Sequence, residues 1–249
     1  MTGTEPPTEP SEPSESSEAS EGAEPSPDPD ARGGVRLVPV LLALTAMSGL
    51  IDAVTFLGLG HVFTANMTGN VVVLGFAAAG APGFSVPHTA TSLACFLAGA
   101  ATGGRMARRT EGSPRRRSAR VMLGVEAPLL AVAAAVASVT SDDAPATVYT
   151  IIALTAFAMG LRNATVRRLA VRDLGTTTVV TMTLTGLASD SRAGGGTGGH
   201  SSRRTASVAA MFAGAVLGAA LVLHNDLAIP LLVAATTSAV LALTASGRE

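Results

Sequence analysis

Eight apolar runs, at residues 37–57, 62–80, 88–105, 119–139, 146–162, 174–189, 206–223 and 228–246, fill the chain beyond its first 34 residues. A helix that crosses a bilayer needs about 20 predominantly apolar residues, with about 17–25 tolerated. Repeated runs of this length leave little room for any fold other than an all-α membrane protein. Charge agrees: 14% of residues are charged, against about 25% in soluble domains. All 17 basic residues are arginine. They form short clusters with few aromatic residues beside them, which argues against nucleic acid as a partner.

The net charge of −1 averages two unlike regions. Nine of the 18 acidic residues fall in the first 30 positions, which hold no basic residue. Residues 1–34 repeat Glu, Ser and Pro and have almost nothing apolar to bury, so they are expected to be a disordered acidic tail. With their acidic start and their length they are not expected to be a signal peptide. The single Cys95 lies within an apolar run and reads as a small packing residue.

Two runs are atypical. Residues 62–80 and 174–189 are rich in Thr and Asn, the second is short, and only Gly58 to His61 separate the first from its predecessor. The arginines arbitrate, because positive charge concentrates on the cytoplasmic side. If all eight runs span, 11 arginines fall inside and 6 outside. If the two atypical runs are re-entrant or broken, about six spans remain, and all 17 fall on one side with both termini. The six-span arrangement is preferred and places the tail in the cytoplasm. Irregular backbone at membrane depth is tolerated only where it is buried or lines a cavity, so these two segments are the expected functional centre.

The chain also resembles itself. Ala46 to Ala53 matches Ala158 to Ala164 with one residue deleted, which pairs Asp52 with Asn163. Met67-Thr68-Gly69-Asn70 lies over Val180-Thr181-Met182-Thr183, and Ala98 to Gly103 over Ala213 to Gly218. This divides the membrane region into a first repeat, 35–140, and a second, 141–249. With three spans each, the halves are inverted in the membrane, an architecture of many secondary transporters; with eight spans they are parallel. Gly99 and Gly103, like Gly214 and Gly218, have the small-xxx-small spacing that lets helix backbones approach closely.

The stretch Gly49-Leu50-Ile51-Asp52-Ala53, followed by Gly58-Leu59-Gly60-His61-Val62-Phe63-Thr64-Ala65-Asn66-Met67-Thr68-Gly69-Asn70-Val71-Val72, closely resembles the signature of the YoaK family. This is a bacterial membrane family numbered 1275 among the domains of unknown function. A second signature looks present in Met159 to Ala164 and Leu174 to Thr185, with Arg162 where the pattern usually has Gln. The resemblance covers about residues 37–246. It implies a multi-pass inner-membrane protein with about six spans, and it implies no established reaction or substrate.

The expected substrate- or ion-binding residues are those that are costly in hydrocarbon. Asp52 lies two-thirds along the first run, where a carboxylate costs about 2.5 kcal/mol or more and so faces a cavity or a partner. It can carry a proton, or it can cap the adjoining broken segment. Asn66, Thr68, Gly69 and Asn70 form a polar group able to satisfy freed backbone or to coordinate a solute. Asn163, Thr181 and Thr183 supply the second half. Glu126 reads as lying near the cytoplasmic end of its span, as a second proton or cation site or in reach of Arg120 and the headgroups. His61 marks the outer boundary. Residues 193–200 lack the Lys of a phosphate loop and read as a linker.

No zinc-ligand cluster and no nucleophile motif stands out, so neither an enzyme nor a bound metal or cofactor is expected. The leading expectation is a small-solute transporter or permease, proton-coupled through Asp52. The alternative is a non-transporting module that binds lipid or a partner protein. The expected partners are membrane lipid, an unknown small solute and a second copy of the chain.

Overall fold

The computed structural model describes residues 37–109, 115–140, 144–169, 178–189 and 201–244, with residues 2 and 195 standing alone. The chain divides into two units, Met1–Gly33 and Gly34–Glu249, and the described helices all belong to the second. The acidic tail, the 193–200 linker, Thr176 and Thr177 lie outside the described residues, residues 2 and 195 apart.

The described residues form eight α-helices and no strand: α1 Leu37–Gly58, α2 Met67–Ala78, α3 Val86–Arg109, α4 Arg115–Val139, α5 Pro145–Leu169, α6 Thr178–Ser189, α7 Ser201–His224 and α8 Ala228–Thr244. Among the described residues, four stretches are long and apolar enough to cross a membrane: Pro39–Gly58, Arg117–Val139, Pro145–Arg167 and Ser202–His224. The all-α membrane class is thus what these residues adopt. The two atypical runs hold 12-residue helices, α2 and α6. Each rises about 18 Å, well short of a hydrocarbon core about 30 Å thick.

Polarity is distributed as a bilayer demands. Val71, Leu97, Val139, Phe212 and Leu243 point outward, while Ser48, Asp52, Asn70, Ser92, Glu126, Arg162 and Ser238 are buried. Many hydroxyls inside the bundle donate back to their own helix, as Thr45 does to the Leu41 carbonyl and Thr165 to that of Leu161. That satisfies the group without a partner helix. Pro128, inside α4, has no N–H to donate and frees a carbonyl one turn earlier.

The principal packed pairs are α3 with α5, α1 with α7, and α4 with both α8 and α5. Two seams bring backbones into contact. A Cβ on Gly214 or Gly218 of α7 would strike the carbonyls of Ala46 and Leu50, and one on Gly49 of α1 would strike that of Met211. The α3–α5 seam is built alike: Gly99 and Gly103 sit on the carbonyls of Phe157 and Leu161, and Gly160 on that of Phe96. One seam maps onto the other by a shift of 111 between α1 and α5 (160 − 49) and of 115 between α3 and α7 (214 − 99). Such close approach, which any side chain would block, is how helices associate without a hydrophobic drive between them.

After α1 the chain turns sharply back. Gly60 and His61 have positive φ values of 80° and 62°, a region that costs a non-glycine residue energy and needs support. His61 receives it: Nδ1 lies 2.9 Å from the Gly83 carbonyl, and its ring packs on Phe84. This contact joins the start of the loop 59–66 to the turn between α2 and α3. The turn after α2 therefore lies beside the C-terminal end of α1.

Candidate functional site

Asp52 stands six residues before the end of α1, about 9 Å along the helix axis. The loop descends to this level. Asp52 Oδ1 accepts the backbone N–H groups of Thr64, Ala65 and Asn66 at 3.0, 2.7 and 3.3 Å. Three donors that would otherwise be orphaned at membrane depth converge on one oxygen, immediately before the positive N-terminal end of α2. Asn66 caps α2, its Oδ1 accepting from the Gly69 N–H at 3.3 Å. Asn70 closes the loop like a strand partner. Its Oδ1 accepts from Phe63 N–H at 2.9 Å, and its Nδ2 donates to Phe63 O at 2.6 Å and to Ser92 Oγ at 3.0 Å. Ser92 donates in turn to Phe63 O. A Cβ on Gly69 would press on the Phe63 ring, so the residue fits because it is small.

The other carboxylate oxygen, Asp52 Oδ2, is buried with no hydrogen-bond partner, as is the Thr64 hydroxyl. Asp52 lines a groove of about 420 Å³ between α1, α7 and the loop, together with Phe56, Phe63, Asn66, Phe212 and Val216. Phe212 is 71% exposed and Val216 52%, so the groove opens on the apolar flank of the molecule. Thr68 lies on an exposed face of α2, away from this cluster.

A second buried polar centre lies among α1, α4, α5 and α8. Glu126 and Arg162 form an ion pair at 0% and 1% side-chain exposure. The guanidinium engages Glu126 through both Nε, at 2.8 Å, and Nη2. Its Nη1 donates to Leu44 O and Ser48 Oγ, and Nη2 lies 3.9 Å from Met47 Sδ. Ser238 donates to Glu126 Oε1 at 2.6 Å. All five N–H groups of the arginine thus have acceptors. Two sequence expectations give way at this centre. Glu126 sits near the middle of α4 and pairs with Arg162 rather than Arg120, because a buried cation competes for it. Arg162, which its place among the arginines marks as a flanking charge, belongs to the core.

The residues singled out in the second half do not form a comparable set of hydrogen bonds to one another among the described residues. Asn163 is half-buried and its Oδ1 has no partner; Ser207 is buried with an unpartnered hydroxyl; Thr183 is buried and Thr181 exposed. Ser207 stands 115 residues after Ser92 (207 − 92), so the repeat offset alone would have singled out both serines, which sequence reasoning passed over. Arg162 also carried a signal: with Glu126 it is an opposite-charge pair within otherwise apolar runs. Among the described residues no group of His, Cys, Asp or Glu is placed to hold a metal.

A profile of the family described as "Protein of unknown function (DUF1275)" matches residues 40–244. UPF0700 transmembrane protein YoaK of Bacillus subtilis (strain 168) is 34% identical over 150 residues, which are 60% of this chain and 64% of that protein. The matched stretch thus spans less than two thirds of the relative's length. No solved structure matches the chain.

Proposed function

The chain belongs to the DUF1275 family of transmembrane proteins of unknown function, and from that premise we propose that it is a small-solute permease of the bacterial inner membrane, coupled to protons through Asp52. One observation carries the reading: a membrane-depth carboxylate whose first oxygen holds a broken segment and whose second is unpartnered beside a groove. Intramembrane carboxylates are retained where they serve a pathway or a relay. The lining of the groove holds no other titratable side chain, so Asp52 would exchange its proton without a competing group.

The proposed architecture has six spans, α1, α3, α4, α5, α7 and α8, with α2 and α6 re-entrant and both termini in the cytoplasm. The meeting of His61 with Gly83 supports re-entry of the first segment. With Arg162 in the core, the six-span arrangement leaves the other 16 of 17 arginines on one side. The interchangeable seams support two inverted copies of one unit, bounded at 35–140 and 141–249, with the site near their interface. Lipid, the solute and a second copy are the proposed partners; no catalytic step, cofactor or nucleic acid enters the proposal. A second reading, a lipid- or protein-binding module without transport, rests on Asn66 and Asn70, whose side-chain oxygens accept from loop and helix backbone and whose bonds stay within the protein.

Uptake into proteoliposomes under an imposed pH gradient tests the proposal. Asp52→Asn keeps an acceptor for the three loop N–H groups and removes the titrating charge. Gradient-driven uptake is expected in the wild type and lost in the variant. Equal behaviour for every solute tried, with a silent binding screen, overturns the permease reading.

A further inference from the structure

The groove beside Asp52 differs from a site for a water-soluble solute in where it opens. Its outer wall is Leu57, Phe212 and Val216, apolar side chains exposed on the flank of the helices. Its inner end holds a carboxylate, 5% exposed, with Oδ2 unpartnered. Two further phenyl rings line the groove, Phe56 stacked on Phe63 at 4.7 Å. No basic side chain lines it. A buried carboxylate calls for a cation, aromatic faces attract one, and an apolar mouth admits a hydrocarbon chain. A volume of about 420 Å³ suits one drug-sized molecule. The lack of a basic residue disfavours the phosphate of a phospholipid.

We propose that this groove binds a single-chain amphiphilic amine taken laterally from the bilayer, with its ammonium at Asp52 and its chain along Phe212 and Val216. This deepens the permease reading, because it names the ligand class of the same Asp52 site. A carboxylate neutralises either one proton or one ammonium, so the amine and the proton exclude each other. The matching position in the other half carries Asn163 and has no charge to offer.

The chain has no tryptophan, which permits a direct test. Phe212→Trp places a sole reporter at the groove, and Leu97→Trp places one at the corresponding position of the α3–α5 seam, 115 residues earlier (212 − 97). Each is titrated in lipid nanodiscs with an alkylamine brominated at its chain end, and with the equally long brominated alcohol. The alcohol measures quenching by simple partition into lipid. At Phe212→Trp the amine is expected to quench at concentrations about tenfold below the alcohol, as a charge-assisted contact should. The difference is expected to vanish with Asp52→Asn and to be missing at Leu97→Trp. With Asp52 intact, a non-brominated alkyltrimethylammonium should relieve the quenching and an alkyl sulfate should not, which serves if Asp52→Asn fails to fold. Coincident amine and alcohol curves at Phe212→Trp overturn the inference, as does an equal difference at Leu97→Trp. Amine-selective quenching without Asp52-dependent flux keeps the site and sinks the permease reading. Asp52-dependent flux of another solute with coincident curves does the reverse.

Discussion

The two buried polar centres answer the cost of charge in a membrane in opposite ways. At Glu126 and Arg162 every donor and acceptor is spoken for: the pair is bidentate, and Ser48, Leu44, Met47 and Ser238 take what remains. Around Asp52 the pairing stops halfway, with Oδ1 holding three N–H groups and Oδ2 none. A network that joins α1, α4, α5 and α8 and pairs both charges with each other ties those helices together. An open one, beside a groove, has capacity to spare. Burial of charge therefore does not by itself single out a residue; Asp52 stands apart because its unpartnered oxygen coincides with a groove.

The sharpest way to break this contrast is to cut the closed network on one side. Glu126→Ala leaves Arg162 buried and uncompensated, and Arg162→Met does the same to Glu126. Each is expected to destabilise the protein by about 3–5 kcal/mol, while the double substitution to apolar residues recovers most of the loss. Chemical unfolding in micelles measures it. Additive losses in the double variant would mean that the pair does not act as a unit, and the closed centre would lose its structural role.

Cutting the open centre should cost less and should depend on what is left behind. Asp52→Ala removes the acceptor for Thr64, Ala65 and Asn66 and is expected to cost about 1–3 kcal/mol, the penalty for orphaned buried donors. Asp52→Asn retains an oxygen there and should stay within about 1 kcal/mol of wild type. The same unfolding assay separates the two. If Asn destabilises as much as Ala, charge rather than hydrogen-bonding geometry holds the loop.

The apolar helices were legible because hydropathy tracks apolar runs directly. The run 37–57 became Leu37–Gly58, and 228–246 became Ala228–Thr244. Where helices run on into arginine-rich turns, as α3 does to Arg109 and α7 from Ser201, hydropathy stops early, since those turns are helical but wet. The loop 59–66 was hidden in the run 62–80, because Val62 and Ala65 are buried in protein and so are as apolar as a helix would be. The polar cluster was half legible. Asp52, Asn66 and Asn70 announced themselves by residue type, but their division of labour depends on which backbone groups the turn at Gly60 and His61 presents. Glu126 lies near the middle of α4, Arg115–Val139, because the helix continues through the arginines before Arg120. Its partner lies 36 residues away on another helix, a pairing that local pattern does not encode.

Thr68 gives the smallest effect and bounds the open centre. Sequence reasoning grouped it with Asn66, Gly69 and Asn70, yet the helical turn beginning at Met67 carries it to an exposed face while its neighbours face the loop. A hydroxyl there can return to its own helix or meet headgroups, and its loss strands no buried donor. Thr68→Ala is therefore expected to change stability by no more than about 0.5 kcal/mol, as surface substitutions do, and to leave uptake and amine-selective quenching at wild-type levels. A fall in uptake with stability intact would place a ligand contact on the outer face of α2. The unfilled position at Asp52 would then be one end of a longer path, and the contrast with the closed pair would have to be drawn around that path instead.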